Sequence, residues 1–307
     1  MDDMSSRLAS IRALLPIFES ALRNFTSSPS KFRIVRTINP TTTQPRTLYI
    51  LDSSFNPPSL AHLSLANSAL KRSLSGEEPP RRLLLLFSTH NADKAPSPAS
   101  FIQRIALMTV FAEDLAQTLR KDVEAGEDVK DVSIDIGLTK EPFYTDKSTA
   151  IAEEAPPFYE SKPIHVHLVG YDTLIRFLNP KYYPHHAPPL SALRPFFEKG
   201  HKLRVTQRPY NPEDSSSKEF GTTEDQENFL KRVQRGALAK EGFEKGWRDQ
   251  IDMVEGMGWG ISSTRIRNAT KEKSWDEVGR LCTEGVVGWL REEGLYEEDA
   301  SGEKMMG

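Results

Sequence analysis

Residues 82–87 read Arg-Leu-Leu-Leu-Leu-Phe, a continuous apolar run of the kind a parallel strand carries when both faces of its sheet are covered. Similar short runs recur along the chain. Residues 47–51 (TLYIL) read as a buried strand, 132–136 (VSIDI) alternates like one, and 164–169 (IHVHLV), 202–206 and a short stretch at 251–254 read as further strands. Between them the spacing turns helical, at 60–74, 101–121 and 172–178, and again from Glu227 onward. Strands alternating with helices imply βαβ units and a parallel sheet. Right-handed crossovers then give an α/β, doubly wound core whose ligands sit at the carboxyl ends of the strands.

The flanks are expected to differ. Apolar residues at Leu8, Ile11, Leu15, Phe18, Leu22 and Phe25 predict one amphipathic N-terminal helix over 6–25 despite Pro16. The Ser-, Thr- and Pro-rich stretch 26–45 reads as loop. The expected organisation is an N-terminal helix and loop over 1–45, a core domain over 46–296 ending in a helical segment, and a flexible tail over 297–307. Inserts are expected near 153–163, 182–200 and 211–226, the last polar and mobile.

Charge and composition narrow the partners. The net charge of −3 lacks the basic balance of a nucleic-acid binder. One cysteine, Cys282, rules out an intramolecular disulfide or a zinc cluster of cysteines. No apolar stretch approaches the ~18 residues of a membrane span, and the acidic start Met1-Asp2-Asp3-Met4 does not read as a signal peptide. The expectation is a soluble protein of the cytoplasm, or also of the nucleus, with small-molecule rather than nucleic-acid or membrane partners. Oligomeric state is not legible.

Two segments carry chemistry. At Leu51-Asp52-Ser53-Ser54-Phe55-Asn56-Pro57-Pro58-Ser59-Leu60-Ala61-His62 a strand ends in a tight polar turn that leads into a helix. Such a turn aims backbone N–H groups and a helix N-terminus at one point, which suits phosphate. Ser59 can cap the helix, and His62, in its first turn, can donate to a phosphate oxygen. Taken alone the turn also reads as an ordinary capped connection. Some two hundred residues later comes Gly260-Ile261-Ser262-Ser263-Thr264-Arg265-Ile266-Arg267. A serine or threonine would cap a helix there, with Arg265 and Arg267 in its first turns. Cations at that end oppose the helix dipole, so two arginines make better sense beside an anion such as a triphosphate.

The pair SFNPPSLAH and ISSTRIR resembles the HxGH-type adenylyltransferases, and within them the nicotinamide/nicotinate mononucleotide adenylyltransferases, with a divergent fungal-type branch nearest. Lys94 with Arg104 and Met108, Gly170 with Asp172, and Val205 with Arg208 resemble the family's intervening landmarks in its order. The resemblance covers roughly residues 46–268 in separated blocks. It implies a Rossmann-like nucleotidyltransferase sheet and adenylyl transfer from ATP to nicotinamide or nicotinate mononucleotide, with Mg²⁺ held mainly by ATP phosphates. His62, Lys94 and Arg267 would be catalytic. Ser53, Ser54, Phe55, Ser59, His62, Gly170, Asp172, Ser262, Ser263, Thr264 and Arg267 would bind ATP, and Ser54, Phe55, Asn56, Lys94, Tyr183 and Arg208 the mononucleotide.

Three departures stand out. The family's opening glycine is Ser53, the first histidine of HxGH is Ser59, and Ala61 replaces glycine before His62. They leave two other readings open: an ATP-binding adaptor or weak ATPase without transfer activity, and an adenylyltransferase for another acceptor such as a pantetheine phosphate.

Overall fold

The computed structural model describes residues 2–89, 99–125, 132–155, 158–211, 217–256 and 260–297. Among them β2 (Thr47–Asp52), β3 (Arg81–Ser88), β4 (Ile134–Thr139), β5 (Ile164–Gly170), β6 (Lys202–Thr206) and β7 (Ile251–Val254) form one sheet in the order β4-β3-β2-β5-β6-β7, every pair parallel. This is the strand order of a doubly wound dinucleotide-type sheet. The connections run outward one way through β3 and β4 and the other way through β5, β6 and β7. The topological switch therefore lies between β2 and β5, beside Ser53 and Gly170.

Alternation along β2 decides what each face buries. Tyr49 and Leu51 join a core that includes Phe111 of α4 (Phe101–Glu124) and Trp289 of α11 (Glu284–Glu293), while Leu48 and Ile50 pack with Ala150 and Ile151 of α5 (Tyr144–Glu154) on the other face. A third cluster packs Val169 and Val205 under Phe196, Phe197 and Trp247.

The N-terminal flank differs from the expectation. The predicted single helix is two, α1 (Asp2–Arg12) and α2 (Leu15–Ser27), broken at Ala13 and Leu14. Pro16 is the cause: it has no N–H, and its ring clashes with the carbonyl four residues back, so it is tolerated only in the first turn of a new helix. The stretch read as loop contains β1 (Phe32–Ile38), which pairs antiparallel with β4 at the sheet's edge. Residues 223–226, read as part of a mobile insert, open α8 (Thr223–Gln234) through a capping box in which Thr222 and Asp225 exchange hydrogen bonds. Residues 212–216 of that insert and 298–307 of the expected tail lie outside the described residues. Among the described residues no helix is long and apolar enough to cross a membrane.

Three buried histidines sit where β5 meets β6. The His165 ring stacks on His201 at 4.2 Å, His165 N–H donates to His201 Nδ1 at 3.1 Å, and His167 Nε2 lies 2.7 Å from Ser148 Oγ. Burial, reinforced by neighbouring cationic groups, pushes His165 and His167 well down and His201 to about 4. In the unfolded chain each returns to roughly 6.5, so the unfolded state binds more protons below that pH. This stability is complete above pH ~6.5 and is lost as pH falls toward ~4; His201 alone accounts for about 3 kcal/mol at the acid end. Urea midpoints should hold steady from pH 8 to 7 and fall steeply from 6.5 to 4.5. A midpoint unchanged at pH 5 would show that these rings are not buried neutral.

Candidate active site

The turn after β2 is shaped by a buried aromatic. Phe55 is fully buried and adopts a left-handed backbone, φ 46°, which a bulky residue takes only when its surroundings hold it there. Its ring lies 5.2 Å from that of His62. The chain then enters α3 (Leu60–Lys71) with Ser59 at the N-cap.

His62 is held at both nitrogens. Ser59 N–H donates to Nδ1 at 3.0 Å, with Ser59 Oγ at 2.9 Å from the same atom, and Nε2 lies 2.9 Å from Ser53 Oγ. A backbone N–H can only donate, so Nδ1 carries the lone pair and the ring hydrogen is on Nε2. Burial lowers the imidazole to about 4, so at neutral pH His62 is an uncharged donor with one fixed tautomer. Ser53 N–H, expected to meet phosphate, instead donates to Leu86 O of β3 at 3.2 Å.

The second segment closes on the first. Ser262 caps α9 (Ser263–Lys271), its Oγ accepting from Arg265 N–H at 3.2 Å. Ser263 Oγ donates to Pro57 O at 3.1 Å, and Arg267 donates to Asn56 O at 3.0 Å and Thr264 Oγ at 3.1 Å. Tyr296 donates to Asn56 Oδ1 at 2.7 Å. The two arginines therefore part company: Arg267 holds the Asn56–Pro58 turn, whereas Arg265 reaches Glu277 at 2.7 Å on α10 (Trp275–Leu281).

The third element is the end of β5. A Cβ on Gly170 would come 2.7 Å from Asp172 Oδ1, so only glycine lets that carboxylate fold back over the strand end. Asp172, on α6 (Tyr171–Phe177), accepts from Arg176 at 2.7 Å and lies 3.9 Å from Arg208.

One cavity of about 420 Å³ opens at the switch point, lined by Ser53, Ser59, His62, Gly170, Asp172, Arg208, Ser262 and Ser263 together with Asp52, Tyr144, Thr173 and Arg176. The first eight are residues singled out in the sequence. Ser54, Phe55, Asn56, Thr264 and Arg267 belong to the two segments that frame it. Tyr183 does not reach it: its ring is in the core beside Phe143 and its hydroxyl donates to Phe177 O at 2.8 Å. Lys94 lies outside the described residues. Arg104 is buried over the rings of Phe87 and Phe101.

The last four lining residues were not foreseen. Asp52 is the final residue of β2, and its carboxylate accepts from the buried Lys147 ammonium of α5. Tyr144, one turn earlier, has its phenol pushed far up by burial and by the nearby Asp52 carboxylate. The chemistry on offer is thus a neutral imidazole donor, two serine-capped helix starts and several cations, with the two lining carboxylates each paired to a cation.

No family model matches the chain. A Schizosaccharomyces pombe protein provisionally named nicotinamide mononucleotide adenylyltransferase is 32% identical over 225 residues, covering 72% of this chain and 75% of that protein. Among solved structures, a Plasmodium falciparum nicotinic acid mononucleotide adenylyltransferase complexed with NaAD superposes with a TM-score of 0.47 at 13% identity, over 82% of this chain and 98% of that one. The same Plasmodium enzyme complexed with APC gives a TM-score of 0.46 at 13% identity with the same coverage.

Proposed function

Since this chain belongs to the nicotinamide mononucleotide adenylyltransferase family, we propose that it joins the AMP moiety of ATP to nicotinamide or nicotinate mononucleotide, releasing pyrophosphate. The observation that carries this reading is the convergence of three separate segments on one cavity at the switch point: the Ser53–His62 turn, the Gly170/Asp172 strand end and the Ser262–Ser263 helix start. Each alone is an ordinary cap or turn. Together they offer donors to a chain of phosphates and a carboxylate to a ribose.

The chemistry asks little more. An oxygen of the mononucleotide 5′-phosphate attacks the α-phosphorus of ATP, the new P–O bond forms, and the bond to the bridging oxygen of pyrophosphate breaks. The attacking phosphate is already anionic, because its second pKa is ≈ 6, so no protein base or covalent nucleophile is required. Catalysis rests on alignment and charge stabilisation. The neutral His62 donor serves the α-phosphate end, Arg267 and the start of α9 serve the β- and γ-phosphates, and Asp172 beside Gly170 serves the ATP ribose. Asp52 and Asp172 are already ion-paired, so Mg²⁺ fits this site as part of the ATP complex, coordinated by phosphate oxygens and water and neutralising their charge.

Purified protein given ATP, Mg²⁺ and either mononucleotide should form the dinucleotide and pyrophosphate in equal amounts. Slow ADP release without dinucleotide would instead favour the adaptor reading, and adenylylation of pantetheine phosphate alone would move the acceptor.

Arg267 gives a second check. Its charge meets the β- and γ-phosphates in ground and transition states alike, so its loss is mainly lost binding. Arg267→Ala should raise the KM for ATP by roughly tenfold or more, as expected for one charge-assisted bond of ~1.5–3 kcal/mol. Arg267→Lys should recover only part, since one ammonium cannot span Asn56 O, Thr264 Oγ and a phosphate together. Wild-type ATP affinity in both variants would reduce Arg267 to a brace for the turn.

A further inference from the structure

We propose that Ser53 is a further catalytic residue of this site: its side-chain hydroxyl donates directly to the α-phosphate oxygen, and His62 acts on that oxygen through it. The inference rests on the adenylyl-transfer reading but concerns an atom that the family's pattern does not contain, since Ser53 stands where relatives of the HxGH pattern carry glycine.

Four observations lead there. First, Ser53 has no backbone donor to offer, because its N–H is consumed by Leu86 O across the sheet. Second, the tautomer of His62 is fixed by Ser59 N–H on Nδ1, so Nε2–H is the donor in the 2.9 Å contact and Ser53 Oγ is the acceptor. Third, a hydroxyl that accepts from one side keeps its own hydrogen for another. Among the described residues no acceptor for that hydrogen is found, and Ser53 lines the cavity. Fourth, the neighbouring donors are already committed: Ser263 Oγ to Pro57 O and Arg267 partly to Asn56 O.

The result is a one-way series, Ser59 N–H to His62 Nδ1, His62 Nε2–H to Ser53 Oγ, and Ser53 O–H to the cavity. Each bond polarises the next along this half-buried series. No proton has to move. The hydroxyl becomes a stronger donor than an isolated serine, aimed where negative charge is redistributed as the bond to pyrophosphate breaks. A glycine here would leave His62 Nε2–H to meet phosphate itself. The serine fills that gap and becomes the contacting group.

The test uses the full-length protein with Ser53→Gly, Ser53→Ala and Ser53→Thr, each with and without His62→Ala. Ser53→Ala should lower kcat by ~10²-fold, about as much as His62→Ala, while the KM for ATP moves little; Ser53→Gly, in which phosphate reaches the ring, should lose less. Ser53→Thr, which keeps a hydroxyl at the same carbon, should lose less. Because His62 acts through Ser53, adding His62→Ala to Ser53→Ala should change kcat by less than about twofold. Wild-type kcat in Ser53→Ala, or losses that multiply in the double variant, would overturn the proposal. Ring-¹⁵N NMR of His62 supplies a readout independent of turnover. Adding Mg-ATP should leave the Nε2–H resonance nearly in place in the wild type and shift it in Ser53→Gly, where phosphate reaches the ring. An equal response in the two proteins, whether a shift or none, overturns the relay. Should the wild type form no dinucleotide, the adenylyl-transfer reading fails on its own and the resonance still decides the role of Ser53.

Discussion

His62→Ala is expected to lower kcat by ~10²-fold or more, the loss seen when one preorganised donor to a developing oxyanion is removed. The imidazole is neutral, with burial holding it near 4, so what disappears is one oriented Nε2–H and not a charge. A neutral donor adds little to ground-state binding of an anion already held by cations and helix ends. The Ser53 hydroxyl that it polarises binds more strongly as charge shifts in the transition state, so the KM for ATP should change far less than kcat. Alanine also strands the buried Ser59 N–H, and a loss of folding would mimic a loss of catalysis. His62→Glu separates the two. A glutamate three residues after the N-cap serine completes a conventional capping box, so this variant should fold while presenting a carboxylate to the phosphate. If either variant, folded by circular dichroism, turns over at the wild-type rate, His62 is only a cap.

The parallel part of the sheet was legible because strands buried on both faces are short, largely apolar runs, as 47–51 and 82–87 are and 164–169 is apart from His165 and His167. β1 hid for the opposite reason. It is an edge strand whose interior residues are half-buried, with Arg33 and Arg36 among them, as edge strands tend to be, and it sits in a Ser/Thr/Pro-rich stretch that resembles loop. α5 hid because it buries Thr145, Lys147 and Ser148, residues that give no apolar period. Its lysine makes sense only against Asp52, 95 positions away.

The site divides along the same line. Serines at helix starts and the glycine before Asp172 follow from local backbone needs, so their positions could be read from the chain. What each side chain then faces could not. Arg265 and Arg267 are two residues apart and therefore on different sides of α9; only the fold reveals that Glu277 waits on one side and the 56–58 turn on the other. Tyr183 is an aromatic near a motif, yet the third core took it. Ser53 looked like a weakened glycine, and its role appears only once the tautomer of His62 is fixed by its neighbours.

Asp135→Asn is expected to destabilise the fold by about 3–5 kcal/mol, the usual penalty for breaking a buried ion pair from one side. Asp135 is fully buried near the amino end of β4. Its carboxylate accepts from Arg82 Nε at 2.6 Å and a terminal guanidinium nitrogen at 2.9 Å, from Tyr159 at 2.7 Å and from Thr37 of β1 at 2.6 Å. One side chain thus ties the antiparallel edge strand, β3 and the segment after α5 to β4. An amide has the same shape but leaves the Arg82 guanidinium charged and unpaired in the core, and it turns an N–H₂ toward donors. For a domain of this size the melting temperature should drop on the order of 10 °C. The cost lies in the orphaned charge and not in the loss of the pair, so Arg82→Met with Asp135→Leu should regain much of it. The cluster sits at the end of the sheet opposite the cavity, so kcat measured well below the melting range should stay within about twofold of wild type in every variant that folds. Chemical denaturation and turnover, measured on the same samples, check both halves: a double variant no more stable than Asp135→Asn would mean that the network itself, through its four bonds, holds β1 in place.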